Sequence, residues 1–118
     1  MLKVVKIGGN IVDNPEKLEA FLTGFAHLSG KKILVHGGGK VATTISKALG
    51  IETRMIDGRR VTDEQTLRVV TMVYAGAINK NIVAGLQSRG CNAVGLSGAD
   101  GALIRSVRRS PEPVDYGF

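Results

Sequence analysis

Apolar and polar positions in the first fifty residues follow two periods, one typical of strands and one typical of helices. Residues 2–7 and 31–35 are short apolar runs rich in β-branched side chains, and each predicts a strand. Between them, Asn14 and Pro15 supply an N-cap and a first helical residue, and a second helical pattern ends at Gly50. The order β-α-β-α predicts an α/β fold in which helices cover a parallel sheet.

A hairpin and a helix are predicted next along the chain. Residues 52–56 alternate as a strand does, the Asp-Gly pair that follows is a strong turn signal, and residues 59–61 return from that turn. Thr62 and Gln65 have the spacing of a capping box. This spacing predicts that a helix begins there with Thr62 as its N-cap.

The last third of the chain predicts shorter elements. Gly76 is expected to divide the next helical pattern into two helices. Residues 91–96 and 102–107 each predict a short strand, and residues 114–118 resume an apolar pattern after a turn with two prolines. Because a globular chain rarely finishes by starting a strand, we expect the sequence to be the N-terminal part of a longer protein.

The composition is that of one folded domain, or of part of one. Of 118 residues, 43% are hydrophobic and 22% are charged, which argues against disorder. The single Cys91 excludes a disulfide within the chain, and no Cys/His spacing indicates a protein-bound metal. No run reaches the roughly 18 apolar residues that a membrane span needs, so we expect a cytoplasmic protein without membrane contact.

The net charge of +6 would suit a nucleic-acid-binding protein. However, only 4% of the residues are aromatic, no Trp is present to stack on bases, and the basic residues are mostly scattered. We therefore expect a small anionic partner and no nucleic acid.

Glycines follow both of the first two predicted strands. Gly37, Gly38 and Gly39 stand between a strand and a helix, so free N–H groups and the positive end of a helix dipole point the same way there. Gly8 and Gly9 end the first strand. Because ligands of open α/β sheets bind at the carboxyl ends of the strands, we expect the two turns to form one anion site.

Lys6 lies two residues before the first glycine turn, and its ammonium can reach the space above both turns. Backbone donors from two turns and one compact cation suit a phosphoryl group in transfer, where catalysis is mostly positioning and charge stabilisation. The competing interpretation of Lys6 is a solvated lysine at a strand end.

Dinucleotide binding is one alternative function. Gly37 to Ala42 fit the glycine fingerprint of dinucleotide-binding folds, and Asp57 lies near the distance of their ribose-binding acid. The match is weak, because the fingerprint belongs to the first βα turn and a complete βα unit precedes it here.

An α/β-hydrolase esterase is a second alternative. His36 and the glycines after it match an oxyanion-hole sequence, and Ser97 lies in a near match to the nucleophile elbow. That fold needs its histidine after the serine, whereas His27 and His36 both precede Ser97. A non-catalytic anion-binding or regulatory module built on the same glycine turns is the third alternative.

Four ordered motifs together resemble a known family. In order and spacing they are similar to the N-terminal half of the acetylglutamate kinase family, which has the amino-acid kinase (carbamate kinase-like) fold. The motifs are Lys6-Ile7-Gly8-Gly9-Asn10, Val35-His36-Gly37-Gly38-Gly39, Asp57-Gly58-Arg59-Arg60-Val61-Thr62-Asp63 and Gly76-Ala77-Ile78-Asn79-Lys80. The resemblance runs over essentially all 118 residues and implies an αβα sandwich with a mainly parallel sheet, incomplete at the C-terminus.

The resemblance implies a reaction and its partners. The reaction is ATP-dependent phosphorylation of the γ-carboxylate of N-acetyl-L-glutamate, or of another N-acyl-glutamate, in arginine biosynthesis. ATP is the implied cofactor, with Mg²⁺ as its counter-ion, and family members associate at least as dimers. The family places its ATP-binding residues in the C-terminal half. Residues 1–118 are therefore expected to be the acyl-glutamate-binding lobe of a longer kinase and to be inactive alone.

The resemblance also assigns roles to the glycine turns and to the lysine before them. Lys6 matches the lysine that stabilises the transition state by neutralising charge on the phosphoryl group. Gly38 and Gly39 match the pair that holds the reacting end of the substrate and the γ-phosphate. Gly8 and Gly9 match the first glycine turn, near the phosphates.

One arginine is implied to bind the substrate. Arg60 matches the arginine that grips the α-carboxylate, and a guanidinium fork suits that role better than an ammonium does. Arg59 departs from the leucine of many relatives, and we expect it to be solvated. We expect His36 to shape the glycine turn rather than to act as a base, and Asn79 and Lys80 to be structural.

Overall fold

The computed structural model describes residues 1–118 as an α/β protein with two small sheets. The elements, in order, are β1 (Lys3–Ile7), α1 (Gly9–Val12), α2 (Pro15–His27), β2 (Lys32–His36), α3 (Val41–Ala48), β3 (Met55–Ile56), β4 (Arg59–Arg60), α4 (Glu64–Val70), a π-helix (Thr71–Ile78), α5 (Asn79–Gln87) and a 3₁₀ turn (Asp100–Ala102).

The first sheet confirms the predicted parallel pairing of β1 and β2. Its register runs from Lys3 opposite Lys32 to Ile7 opposite His36, so both strands end at the same level. The α/β class is also confirmed, because the α2 crossover lies between two adjacent parallel strands. The turns that follow the two strands are therefore neighbours.

Helix α2 begins as the sequence predicts. The side chain of Asn14 accepts a hydrogen bond of 3.0 Å from the backbone N–H of Lys17, and Pro15 is the first helical residue. Leu22 and Phe25 point from this helix into the core and are 1% and 6% exposed. Gly30 follows the helix with φ +82°, a conformation that glycine adopts without strain.

The predicted hairpin forms with shorter strands than expected. β3 and β4 are antiparallel and contain two residues each, with Met55 opposite Arg60. Asp57 and Gly58 have φ values of +49° and +72°, which is the left-handed pair of a type I′ turn. The turn chemistry was therefore a better predictor than the alternation of residues 52–56.

The capping-box prediction is wrong by one residue. Asp63, not Thr62, is the N-cap of α4, and its carboxylate accepts a hydrogen bond of 2.8 Å from the backbone N–H of Thr66. Thr62 is held in a bridge to the C-terminal segment instead. Its N–H donates to the carbonyl of Tyr116 and its carbonyl accepts from the N–H of Phe118, each at 2.8 Å.

Gly76 does not divide the long helical region, which runs unbroken from Glu64 to Gln87. The eight residues from Thr71 to Ile78 form a π-helix that contains Gly76. Buried apolar residues show what this widening does, because their spacing is four, five, four and four: Val69, Val73, Ile78, Ile82 and Leu86. The π-helix absorbs one extra residue and keeps both halves facing the same core.

By length and composition this helical region could cross a membrane, which we did not expect from the apolar runs of the sequence. The same region supplies five of the ten buried apolar residues of the core. A core helix of a soluble protein passes the same test of length and composition.

The two strands predicted in the last third of the chain are absent. Residues 91–96 alternate between half-buried and exposed side chains, but they pair with no neighbouring strand. Residues 102–107 are exposed and also unpaired. A strand is defined by its partner, and this chain supplies no partner for either segment.

Candidate functional site

The two glycine turns are in contact at the carboxyl ends of β1 and β2. A Cβ atom placed on Gly9 would lie 2.9 Å from Cα of Gly39, closer than side-chain carbons approach backbone atoms. A side chain at position 9 would therefore separate the turns. Gly39 itself has φ +52°, which a larger residue adopts only with strain.

Gly38 is buried beneath an aromatic ring. A side chain at this position would overlap the ring of Tyr74, which comes from the π-helix. Neither Gly38 nor Gly39 donates its backbone N–H to another group of the protein. The turn therefore combines close packing with two backbone donors that remain available to a ligand.

An aspartate that the sequence analysis did not single out fixes this turn. Both carboxylate oxygens of Asp13 accept from the backbone N–H of Lys40, at 2.9 and 3.1 Å. A side chain on Gly39 would overlap the same carboxylate. Asp13 thus occupies the donor at the start of α3 and leaves those of Gly38 and Gly39 free. No sequence motif contains it, so only the fold reveals this contact.

Lys6 lies on β1 with its backbone opposite Val35. Its side chain is exposed and makes no hydrogen bond or ion pair within the chain. It is on the strand face opposite to buried Ile7, since successive side chains of a strand point to opposite faces. An ammonium held by no protein group is free to reach an anion beside the glycine turns.

Arg60 is held by hydrogen bonds to other side chains, whereas its neighbour Arg59 makes none. The guanidinium of Arg60 donates to the hydroxyl of Thr43 at 2.9 Å and reaches that of Thr53 at 3.5 Å. Thr43 lies in the first turn of α3, just after the triple glycine, so the fold brings Arg60 toward that turn. Arg59 is exposed and its guanidinium lies 5.8 Å from the ring centroid of Tyr116. The two arginines therefore have different surroundings.

His36 is tied to the chain at both ring nitrogens. Nδ1 lies 3.0 Å from the carbonyl oxygen of Gly37, and Nε2 lies 2.9 Å from Nδ2 of Asn79. Lys80 donates to Oδ1 of Asn79 at 2.9 Å and to the carbonyl of Gly95 at 2.8 Å. These contacts support the expectation that His36 shapes the turn. They also join Asn79 and Lys80 to it, a connection that no local pattern of the sequence predicts.

The esterase alternative finds no catalytic pair. The hydroxyl of Ser97 donates to Asp100 at 2.8 Å, while His36 bonds to Gly37 and Asn79. His27 lies on α2, where it bonds to the carbonyl of Thr23. Neither histidine contacts Ser97.

Two carboxylates near the long helical region have lowered pKa values. The backbone N–H and hydroxyl of Ser97 lower the pKa of Asp100, with a further contribution from the charge of Lys80. Hydrogen bonds from Thr66 lower the pKa of Asp63 at the start of α4. Both groups are therefore ionised at neutral pH.

The chain has no group of three or more His, Cys, Asp and Glu side chains placed to hold a metal ion.

The chain is similar to two curated acetylglutamate kinases. The protein of Cytophaga hutchinsonii is 63% identical over 118 residues, and that of Bacteroides thetaiotaomicron is 60% identical over 117 residues. The alignments cover 99% of this chain but only 45% and 46% of the two relatives. The chain therefore spans slightly less than half the length of the curated relatives it matches.

A solved structure and a family model give the same assignment of fold. The structure of smu.665 from Streptococcus mutans UA159 has a TM-score of 0.62 and 22% identity, and the match covers 75% of this chain and 37% of that one. At this identity the likeness shows the fold alone. The model of the amino acid kinase family matches residues 1–116. Because that match covers nearly the whole chain, the protein described here belongs to the amino acid kinase family.

Proposed function

We propose that this chain forms the acyl-glutamate-binding part of an acetylglutamate kinase. The observation that carries the proposal is the contact between the two glycine turns, which leaves the N–H groups of Gly38 and Gly39 without protein partners at the ends of two parallel strands. The similarity to curated acetylglutamate kinases supports the choice of reaction. The reaction is transfer of a phosphoryl group from ATP to the γ-carboxylate of N-acetyl-L-glutamate.

The backbone donors of the second glycine turn hold the reacting groups in this proposal. The N–H groups of Gly38 and Gly39 bind the attacking carboxylate and the γ-phosphate, and Gly8 and Gly9 lie near the phosphates. Fixed donors of this kind need no reorganisation as charge develops, which is the main source of catalysis in phosphoryl transfer. The packing of Gly38 under Tyr74 supports this role because it fixes the turn before a ligand arrives.

Lys6 is proposed as the catalytic cation. Its ammonium neutralises negative charge on the phosphoryl oxygens, and that interaction is strongest in the transition state. The absence of a protein partner for Lys6 supports the role, since the ammonium does not have to break an ion pair to reach the phosphoryl group.

Arg60 is proposed to bind the α-carboxylate of the substrate. A guanidinium offers two parallel donors to a carboxylate, which fixes orientation as well as charge. The hydrogen bond to Thr43 supports this role, because it orients the guanidinium beside the first turn of α3. Arg59 is proposed to remain a solvated residue.

ATP is proposed to bind mainly outside these residues. It supplies the phosphoryl group, and the two free N–H donors suit the phosphate end of such a ligand. Mg²⁺ is proposed as the counter-ion of the nucleotide.

In this proposal the 118 residues bind substrate but do not turn it over. The longer protein is proposed to act in the cytoplasm as a homo-oligomer.

The proposal is tested by calorimetric titration of the chain with N-acetyl-L-glutamate, using N-acetyl-L-aspartate as a shorter competitor. We expect saturable binding of the glutamate derivative. Arg60→Ala should weaken it by about tenfold or more, because hydrogen bonds between charged groups contribute about 1.5–3 kcal/mol.

Arg59→Ala is the matched control, since it removes the same charge one residue away. It should change the dissociation constant by less than about twofold, because solvated surface charges contribute little. An equal loss of affinity in both variants would reduce the role of Arg60 to a general charge effect. No saturable binding by the unaltered chain would overturn the proposed substrate.

A further inference from the structure

A line of hydrogen bonds connects the long helical region to the second glycine turn. Lys80 donates to Asn79 at 2.9 Å, Asn79 faces Nε2 of His36 at 2.9 Å, and Nδ1 of His36 faces the carbonyl of Gly37 at 3.0 Å. Asn79 and Lys80 begin α5, whereas His36 ends β2. The line therefore joins two elements that are 43 residues apart in sequence.

The chemistry of the two ends fixes the direction of every hydrogen bond in the line. The ammonium of Lys80 can only donate, so it takes the oxygen of the Asn79 amide and turns the NH₂ group toward His36. Nε2 of His36 must then accept. A carbonyl oxygen can only accept, so Nδ1 carries the proton and donates to Gly37. One neutral tautomer of His36 satisfies both ends.

The last hydrogen bond determines where an N–H of the proposed site points. The peptide unit between Gly37 and Gly38 is planar and trans, so its C=O and N–H point in opposite directions. A bond from His36 that holds the Gly37 carbonyl therefore also orients the Gly38 N–H away from His36. Gly38 has no side chain to restrain this peptide, so the hydrogen bond replaces a restraint that other residues would supply.

The environment of Asn79 is built for this contact. Asn79 is 7% exposed, and a side chain on Gly95 would overlap its amide oxygen. Lys80 is anchored a second time by the Gly95 carbonyl at 2.8 Å. The backbone N–H and hydroxyl of Ser97 bond to the carboxylate of Asp100, and the charge of Lys80 adds to their lowering of its pKa. A buried polar amide that is satisfied on both sides is expected to hold one orientation.

We propose that Asn79 and Lys80 are positioning residues that fix the tautomer of His36 and thereby aim the Gly38 N–H at the ligand. This inference deepens the proposed function and rests on it for the identity of the ligand. The two residues touch no substrate in this proposal, and they act through His36.

The test uses the ¹⁵N-labelled 118-residue chain at neutral pH. Imidazole ¹⁵N shifts should show His36 with its proton on Nδ1, while His27 provides an internal reference. Asn79→Asp replaces the donor facing Nε2 by an acceptor, so the single proton of a neutral His36 ring should move from Nδ1 to Nε2 and the bond to the Gly37 carbonyl should be lost. The spectra are taken at a pH where the ¹⁵N shifts show one ring proton, because an imidazolium would keep that bond. The Gly38 amide cross-peak should shift as the proton moves, and affinity for N-acetyl-L-glutamate should fall by about tenfold, the scale of one lost hydrogen bond.

A second pair of variants keeps the test decisive if Asn79→Asp fails to fold. Lys80→Met leaves the Asn79 amide free to turn, so His36 should show both tautomers. This variant should also bind N-acetyl-L-glutamate more weakly than the unaltered chain does. Lys80→Arg keeps a donor and should retain one tautomer. Lys47→Met removes an exposed lysine of α3 and should change neither signal. Urea unfolding of each variant separates these effects from loss of stability.

The inference is overturned if a variant switches the His36 tautomer and binds substrate as the unaltered chain does. It is also overturned if Nε2 carries the proton in the unaltered chain. A chain that shows the expected tautomer switch, and the accompanying Gly38 shift, but never binds N-acetyl-L-glutamate contradicts the proposed function instead. The two failures are therefore distinguishable.

Discussion

The two faces of the β1–β2 sheet have different surroundings, although the same two strands form both: one face is buried in the core and the other is exposed. On the covered face, Ile7 is 3% exposed and packs in the core with α2 and the long helical region. On the open face, Val4 is 62% and Val35 is 44% exposed, and Lys6 lies beside them. Successive residues of one strand thus lie alternately in the core and on the open face that carries Lys6.

The difference teaches where substitutions should affect folding and where they should affect function. The covered face ends at His36, which bonds to the carbonyl of Gly37 in the second glycine turn. The open face ends at Lys6, whose side chain has no protein partner. A change on the covered face should therefore reach the site only through stability or positioning. A change on the open face should alter the site directly.

The largest effect is expected from Ile7→Ala, compared with Val4→Ala on the same strand. Ile7→Ala should lower the free energy of unfolding by about 2–5 kcal/mol, because it leaves a cavity in the core. Val4→Ala should change it by about 0.5 kcal/mol or less, as exposed positions do. Urea unfolding of the two variants measures the difference. Equal losses would mean that the open face is covered in solution.

The second effect is kinetic and concerns Lys6. We would fuse this chain to the C-terminal remainder of the Cytophaga hutchinsonii relative and follow ADP formation. Lys6→Ala in the fusion should lower kcat by about a hundredfold while leaving the KM for N-acetyl-L-glutamate nearly unchanged, because its contact is made in the transition state. The unfused chain should release no ADP.

Lys3→Ala is a control for the fusion experiment, since Lys3 is a basic residue of the same strand that bonds to the carbonyl of Ser29. It should leave kcat within about twofold of the parent, in line with the small effects of surface charges. A Lys6→Ala fusion with full kcat would remove Lys6 from the mechanism. A fusion that binds substrate but forms no ADP would favour a non-catalytic anion-binding module.

The smallest effect is expected on the stability of α4, which Asp63 caps at its N-terminus. Its pKa is lower in the folded chain than in the unfolded chain, so its hydrogen bonds to Thr66 stabilise the fold above the unfolded value of 3.8. That contribution is lost as pH falls through 3.8 toward the lower folded value. Asp63→Asn keeps an N-cap but cannot titrate.

Thermal unfolding between pH 6 and pH 2 tests this expectation. The unaltered chain should lose more stability across the range than Asp63→Asn does. Asp100 and Asp115 have lowered pKa values too, so part of the acid sensitivity should remain in the variant. If the melting temperatures of the two proteins fall equally with pH, ionisation of Asp63 contributes nothing to the stability of the fold.

Local signals predicted much of the fold. Short apolar runs located both parallel strands, the Asn14 cap located α2, and the Asp57-Gly58 turn located the hairpin. The wrong predictions share a cause. Residues 91–96 have a strand pattern but no partner, and Thr62 was drawn into a bridge with Gly117 that lies far along the chain. Pairing across such distances is not encoded in local spacing.

The site was predictable in outline but not in its supports. Parallel strands followed by glycines predict two adjacent turns, and the structure brings Gly9 and Gly39 into contact. The side chains that pack on the turns come from elsewhere: Asp13 from the end of α1, and Tyr74 from the π-helix. Neither belongs to a motif, because each matters only through a contact made in the folded chain.

The π-helix sets the rotational phase of α5. An α-helix advances about 100° per residue, so one residue more or less turns everything beyond it by that angle. The five-residue step from Val73 to Ile78 completes one turn because a π-helix holds more residues per turn than an α-helix, and Asn79 is left facing His36. If Thr71–Ile78 wound as an α-helix of the same length, Asn79 would be turned by about 100° and would point away from the glycine turn. A chain shortened by one residue within Thr71–Ile78 should instead close into a continuous α-helix and still present Asn79 to His36. The type of helix, as much as residue identity, therefore determines which side chain faces the glycine turn.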